Sequence, residues 1–236
     1  MSEDDLSEPR REPRGEANTR LMALSDGVIA VAITLLVLDI HLPEAFENWS
    51  DAQLWSALVA LWPRLLAYLL SFFVIGNLWN SHRAKFEATV KSDAGLIWIN
   101  MLFLLTIGLL PFTTDLIAEG GSTLTTEIYA ASMVVSGLSL LWLWGHARRN
   151  HLVDPSVTAE DSRRQYASVI VMVVVFAVSI PLSIAQADLA KYFWILMVPG
   201  NFLARALAVR RWKREHPGAP LPWRGGKADA RKPGKD

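Results

Sequence analysis

Six apolar stretches, each about 20 residues long, alternate with short charged segments along this chain. An α-helix needs about 20 apolar residues to cross the hydrocarbon core of a bilayer. Because lipid offers no partners for backbone polar groups, such stretches must pair them internally, as helices do. The sequence therefore predicts an all-α, polytopic membrane protein with six transmembrane helices. The predicted spans are residues 21–42, 54–80, 94–116, 126–145, 166–184 and 189–209.

Both ends of the chain differ in composition from this apolar region. Residues 1–19 are polar, acidic and contain proline, and residues 213–236 are equally polar. We expect both to be disordered cytoplasmic tails around a membrane domain of residues 20–212. The first apolar run is too long for a signal peptide, and no small-residue cleavage site follows it.

The charged segments indicate an orientation. The N-terminal tail, the segments after spans two and four, and the C-terminal tail are rich in Lys and Arg, whereas the segments after spans one and three contain acids and no Lys or Arg. Basic segments stay in the cytoplasm, so both termini are expected there. The protein itself is expected in the cell membrane. Buried helices of a large soluble protein would not generate this alternation.

Some classes of chemistry are not expected. The chain contains no cysteine, which excludes disulfides, zinc-thiolate sites and thiol catalysis. No metal-ligand cluster or nucleophile constellation is recognisable either. We therefore expect neither an enzyme nor a bound metal or cofactor.

Span one contains polar side chains, Arg20, Ser25 and Asp26. An ionisable residue inside a span is costly, so it usually faces protein and has a partner. The alternative is that Asp26 lies at the interface and is hydrated. Candidate partners at a similar depth are Trp79, His82 and Asn100, which together with the first three residues would form a structural polar network. His82 could instead be a pH sensor or a basic residue at the interface.

Span one also has an apolar face, directed away from its polar residues. At 100° per residue, an apolar stripe lies about 120–140° from Ser25 and Asp26, with Thr34 at its flank. The stripe consists of Leu24, Gly27, Val31, Leu35, Leu38 and Leu42. Spacing alone favours contact with lipid or another helix for such a stripe.

The motif Arg20-x-x-x-Leu24-Ser25-Asp26 resembles the first helix of the transmembrane protein 175 family of potassium channels, whose pattern is Arg/Lys-x-x-x-Phe-Ser-Asp. Leu24 replaces the expected Phe. The resemblance covers spans one to three, whereas spans four to six match only in number and hydropathy. Its further elements are Trp79-x-x-His82, Asn100-x-x-Phe103 and Leu110-Pro111-Phe112.

The resemblance implies a homotetramer of six-span subunits in which the first helix lines a central pore, without a carbonyl filter. It implies an apolar constriction at Val31, Leu35 and Leu38 with Thr34 as an adjoining polar ring, and rings of this kind gate by dewetting. Val31 replaces the usual Ile, which implies a wider constriction. In such a pore Asp39 would form an acidic ring at the outer mouth, although solvation or a partner on another helix is equally open.

The resulting functional hypothesis is passive, potassium-preferring cation conduction across the cell membrane. The expected partners are the lipid bilayer, further copies of the chain and permeant monovalent cations, potassium first, with no nucleic acid. One alternative is a proton channel with Asp26 and His82 in the path. Another is a secondary transporter, although the inverted repeats typical of that class are not apparent.

Overall fold

The computed structural model describes residues 15–42, 49–186, 190, 193–194, 210 and 214. Within these residues it is all-α, as predicted, and the helices lie in the unit Met1–Trp194. A second unit, Ile195–Asp236, falls almost entirely outside the described residues. The helices are α1 Glu16–Leu35, which continues as a 3₁₀ turn Leu36–Asp39, α2 Asp51–Ala60, α3 Trp62–Glu87, α4 Ala94–Gly120, α5 Thr123–Arg149 and α6 Ala159–Ala185.

Three of these helices are long and apolar enough to cross a membrane: Ala17–Asp39, Ala94–Glu119 and Thr123–Arg149. The pair α2–α3 meets the same criterion only when both members are taken together, which makes a fourth. The apolar part of α6, Val169–Ala185, is shorter. The sixth predicted span lies almost wholly outside the described residues, as do residues 1–14 and most of the C-terminal tail.

The second predicted span, residues 54–80, is not one continuous helix. It is broken at Leu61 into α2 and α3, which meet at a bend of 44°. Pro63 lies in the first turn of α3, where its missing N–H costs nothing, whereas in a continuous helix its ring would clash with the carbonyl four residues earlier. Ser50 starts α2 with a capping box, since its backbone N–H donates to Gln53 Oε1 at 2.8 Å.

The helices pack in two groups that share α4. α1 lies against α3 and α4, and α5 packs along α4 and α6. At the contact of α5 with α6, a Cβ on Gly137 would lie 2.7 Å from Met172 Cε, so glycine permits this close approach. Among the described helices, those that pack on α1 lie on one side of it.

α1 begins within the segment predicted as a tail. Residues 16–19 are helical, following Gly15 in a left-handed conformation with φ 116°. We call the end of the bundle at which α1 begins the inner end, because it is cytoplasmic in the predicted orientation. The segments after α3 and after α5 pair there through an antiparallel bridge between Thr89 and Val153.

Two hydrogen bonds flank that bridge. Val90 N donates to Leu152 O, and Asp154 N donates to Ala88 O, each at 2.9 Å. We call this pairing of residues 88–91 with 152–154 the inner clasp. It joins helices that are remote in sequence at the point where α1 starts.

Candidate functional site: the first helix and its polar contacts

α1 has one buried and one exposed face. The buried face consists of Leu21, Ser25, Ile29, Ala32 and Leu36, none more than 8% exposed. On the opposite face the predicted stripe is open: Leu24 is 50% exposed, Val31 57%, Leu35 43% and Leu38 67%, and Gly27 is also exposed. Leu42, the last member of the predicted stripe, is half-buried. The division into two faces inferred from 100° spacing is therefore present in the fold.

An open groove runs along this stripe. It has a volume of about 520 Å³, and its lining is almost entirely apolar. Gly108 of α4 contributes to its edge beside Leu24, Gly27, Val31 and Leu35. One chain therefore presents an open apolar groove on this side of α1 without enclosing it.

Thr34 lies on the exposed side of α1 next to this stripe. Its hydroxyl donates to the carbonyl of Val31 in the preceding turn, at 2.8 Å. The proton is thereby directed toward the backbone, and the oxygen lone pairs remain outward. Thr34 thus offers an oxygen acceptor on an otherwise apolar surface.

On the buried face, Ser25 is the end of a hydrogen-bonded chain. Asn100 Nδ2 donates to Ser25 Oγ at 3.0 Å, and Ser25 Oγ donates to Leu21 O at 2.9 Å. Since the Asn100 amide nitrogen is used in this way, its Oδ1 accepts from His82 Nε2 at 2.8 Å. The chain joins α1, α3 and α4, and each of its donors has a defined acceptor.

His82 is held in a sandwich of aromatic rings. Its ring stacks on Phe103 at 5.2 Å between centroids with a 9° interplanar angle, and Phe86 lies 4.5 Å away on the same measure. Nε2 donates to Asn100, and Nδ1 is buried without a hydrogen-bond partner among the described residues. An apolar sandwich of this kind favours an uncharged imidazole.

Asp26 belongs to a separate contact. Trp79 Nε1 donates to Asp26 Oδ1 at 2.7 Å, which links α1 to α3, and the Asp26 side chain is half-buried. The guanidinium of Arg83 lies 5.9 Å from the centre of the Trp79 ring, within cation–π range. The predicted polar residues therefore form two contacts rather than one network.

Arg20 joins neither contact within the described part of the chain. It is exposed, and on a helical wheel it lies about 120° from Asp26. That angle places it on the side of the apolar stripe, away from α3. The prediction that Arg20 shares a network with Ser25 and Asp26 is therefore not matched by the geometry.

Asp39 ends the 3₁₀ turn and is half-buried. Its Oδ2 is buried without a hydrogen-bond partner among the described residues. Its backbone carbonyl accepts from Arg64 Nη1 at 3.5 Å, and Arg64 Nη2 forms an ion pair with Glu119 at 3.1 Å. The outer end of α1 is therefore attached to α3 and α4 through an arginine.

Sequence reasoning missed Arg64. The residue lies inside the second predicted span, and an ionisable side chain in a span is itself a signal for a functional or structural partner. Its partner Glu119 is 55 positions away in the sequence, and only packing brings the two side chains together. Among the described residues, no group of three His, Asp or Glu side chains is arranged to hold a metal ion.

Comparison with known proteins yields consistent similarities. The sequence profile described as "Endosomal/lysosomal potassium channel TMEM175" matches residues 20–111. A potassium channel from Streptomyces collinus is 39% identical over 150 residues, which cover 61% of this chain and 71% of that protein. The mouse protein named "Endosomal/lysosomal proton channel TMEM175" is 25% identical over 166 residues, 69% of this chain but only 33% of its own length.

The fold is also similar to a solved structure. The crystal structure of a lysosomal potassium-selective channel TMEM175 homolog from Chamaesiphon minutus superposes with a TM-score of 0.67 at 28% sequence identity. The superposition covers 82% of this chain and 97% of the homolog. The similarity therefore extends past the first three helices, where the sequence motifs end.

Proposed function

We propose, from the premise that this chain belongs to the TMEM175 family of ion channels, that it is a potassium-preferring cation channel whose first helix lines the conduction path. The Streptomyces collinus relative is named a potassium channel, and the Chamaesiphon minutus homolog is described as potassium-selective. In this proposal the permeant ion is potassium, and the chain acts in the cell membrane with both termini in the cytoplasm.

The observation that carries the proposal is the two-sided use of α1. An exposed apolar stripe by itself is equally suited to lipid. Here the opposite face is attached to α4 through Ser25 and to α3 through Asp26, so the direction of the stripe is defined by buried hydrogen bonds. A helix whose rotation is fixed can direct one face, and the side chains on it, toward a pore along its whole length.

The proposed constriction consists of Val31, Leu35 and Leu38. Apolar rings exclude water from a narrow passage and so form an energetic barrier to ions, while a neighbouring oxygen ring from Thr34 contacts a partly dehydrated cation. Since the lining offers few oxygens, selectivity for potassium over sodium should be modest.

Several copies of the chain are needed to complete such a path. The groove along the stripe is open on one side, and the helices that contact α1 in the described part of the chain, α3 and α4, lie on its other side. A closed ring of identical subunits places the same stripe around a common axis. We propose four copies, as the family resemblance implies.

Proton conduction is the second candidate, because the mouse relative is named a proton channel. Its ionisable groups here would be Asp26 and His82. Against that route, His82 lies between two aromatic rings, and the fully buried residues in the next two turns of α3 toward the outer end, Leu78, Ile75 and Val74, are apolar. A proton channel would show reversal potentials that follow the pH gradient and ignore potassium.

The direct test uses purified protein in liposomes loaded with potassium, with sodium and caesium as alternative cations. Potassium flux above that of empty liposomes supports the channel, and its absence rejects it. Leu35→Asn should increase flux by adding a polar ring at the constriction. Val37→Asn is the matched control, because Val37 is exposed to a similar degree but lies about 120° from the centre of the stripe.

A further inference from the structure

Asn18, in the first turn of α1, is a buried polar residue that none of the proposed roles uses. Its side chain is 8% exposed, and Nδ2 donates to the backbone carbonyl of Thr89 at 2.9 Å. Its Oδ1 is buried without a hydrogen-bond partner among the described residues. An amide buried at this cost, with one good bond to a residue 71 positions away, indicates a specific positional role.

Asn18 lies on the docked face of α1, opposite the stripe. With 100° per residue, it falls within about 20° of Ser25 and about 140° from Val31. Seven residues separate Asn18 from Ser25, or about 10 Å along the helix axis. The docked face is therefore held by side-chain hydrogen bonds at two levels, two turns apart.

Hydrogen bonds at two heights along α1 restrict motions of the helix that bonds at one height leave free. A helix held only at the level of Ser25 and Asp26 keeps its depth but can still swing about that level, because hydrogen bonds at one height along the helix fix few degrees of freedom. A second bond on the same face, at a distance of two turns, opposes both motions. The bond from Asn18 thus acts on the direction in which Val31 and Leu35 point.

The acceptor of the Asn18 bond is itself held in place. Thr89 belongs to the inner clasp, where it pairs with Val153, and its hydroxyl donates to Lys85 O at 2.7 Å at the end of α3. The adjacent bonds from Val90 N and Asp154 N close the clasp on both sides. The carbonyl that receives Asn18 is therefore fixed by the segments after both α3 and α5.

We infer that Asn18 is a positioning residue that fixes the rotation of α1 against the inner clasp, so that the apolar stripe faces the conduction path. The inference rests on the proposed function for the meaning of the stripe, but the rotation itself can be measured independently. It also makes the segment after α5 a remote determinant of the orientation of α1, through Thr89.

The test places a spin label on α1. The chain contains no cysteine, so a single introduced thiol is unique. Val31→Cys and Ala30→Cys are labelled in separate samples of the reconstituted full-length protein, and the collision rate of each label with a water-soluble nickel chelate is measured. The two positions differ by 100° around the helix, so the ratio of their collision rates reports rotation.

Asn18→Ala should move that ratio toward one, because an α1 whose rotation is no longer fixed exposes the two positions more equally. Asn18→Gln, which keeps the amide but displaces it by one methylene, should change the ratio less and provides the measurement if the alanine variant fails to fold. Thr19→Ala is the matched control, since Thr19 is exposed and, among the described residues, its hydroxyl bonds only to the carbonyl of Gly15, which immediately precedes α1.

The outcomes separate the two levels of the proposal. An unchanged ratio in both Asn18 variants overturns the positioning role. If the Val31 label is shielded from the chelate in the chain with Asn18 and becomes accessible only in the Asn18 variants, the result supports the role of Asn18 and rejects the conduction path along the stripe. Aqueous access at Val31 that Asn18→Ala abolishes supports both.

Discussion

The indole nitrogen of Trp79 lies 2.7 Å from a carboxylate oxygen of Asp26, and this contact is the short bond that holds the middle of α1 to α3. Hydrogen bonds to an ionised acceptor are about twice as strong as neutral ones. Because the Asp26 side chain is half-buried, the indole N–H replaces part of the hydrogen bonding to water that the carboxyl group loses on burial. Loss of this pair should accordingly weaken the attachment of α1 to α3.

Trp79→Phe tests this contact, since it removes the donor and keeps most of the ring. We expect a loss of about 1.5–3 kcal/mol in the free energy of unfolding, seen as a lower midpoint of thermal unfolding in detergent. Asp26→Ala should reduce assembly of the oligomer more than ion selectivity. Trp98→Phe is the control, because Trp98 is exposed. Equal midpoints for the two Trp→Phe variants would contradict the role of the contact.

Arg64 at the outer end should influence cation flux. Arg64→Gln removes a positive charge next to Asp39 and Glu119, so the local potential becomes more negative and cations are concentrated there. We expect a higher potassium flux in liposomes at low ionic strength, with the difference shrinking as salt screens the charges. Glu119→Gln should act in the opposite direction. Equal fluxes for both variants at low salt would remove the outer cluster from the ion pathway.

Gly137→Ala tests the close contact of α5 with α6. The added Cβ would lie 2.7 Å from Met172 Cε, so either the side chains or the helices must move apart. The expected cost is about 1–3 kcal/mol in the free energy of unfolding. Gly76→Ala is the matched control, because a Cβ there meets no atom within 4 Å in the single chain and alanine is the better helix former. Thermal unfolding of the two variants should therefore shift in opposite directions.

Asp93 at the start of α4 provides a pH-dependent prediction. Burial raises its pKa, but hydrogen bonds from the Leu96 N–H at 2.7 Å and from His146 at 2.9 Å outweigh that effect, and the pKa lies below its ordinary value of 3.8. A carboxyl whose pKa is lowered in the folded state contributes stability above pH 3.8 and loses it as the pH falls through the lowered value.

Asp93→Asn should therefore lower the unfolding midpoint near pH 6 by removing the charged cap, and the difference from the unmodified chain should narrow as the pH falls below about 3.8. Asp51→Asn, at the exposed start of α2, is a control that should show a smaller difference at every pH. A difference for Asp93→Asn that stays constant down to pH 3 would exclude the charged cap as its cause.

Much of the fold could be predicted from the sequence, because apolar runs and their spacing carry the information. The two faces of α1 follow from 100° spacing, and the contacts of Ser25 and Asp26 follow from the cost of burying polar groups. The break at Leu61, just before Pro63, was missed, since the apolar run continues through it and hydropathy does not register a missing N–H. Asn18 and Arg64 were missed because their partners, Thr89 and Glu119, are remote in sequence and only packing brings them close.

The inner clasp could not have been foreseen for a further reason. Its hydrogen bonds join backbone atoms of residues 88–91 and 152–154, and backbone pairing between two short connecting segments leaves no pattern in side-chain type. Gly95 at the same end gives only a weak signal: a Cβ there would lie 2.5 Å from His146 Cε1, but nothing in the sequence identifies His146 as its neighbour.

Because α1 is docked on one face and open on the other, substitutions in it should sort into two phenotypes with the period of the helix. Random replacement at Leu21, Ile29 or Leu36 is expected to reduce the amount of protein that reaches the membrane, whereas replacement on the stripe should leave yield intact and alter transport. Selection on this helix can therefore adjust permeation without endangering biogenesis, provided that Asn18 and Ser25 remain.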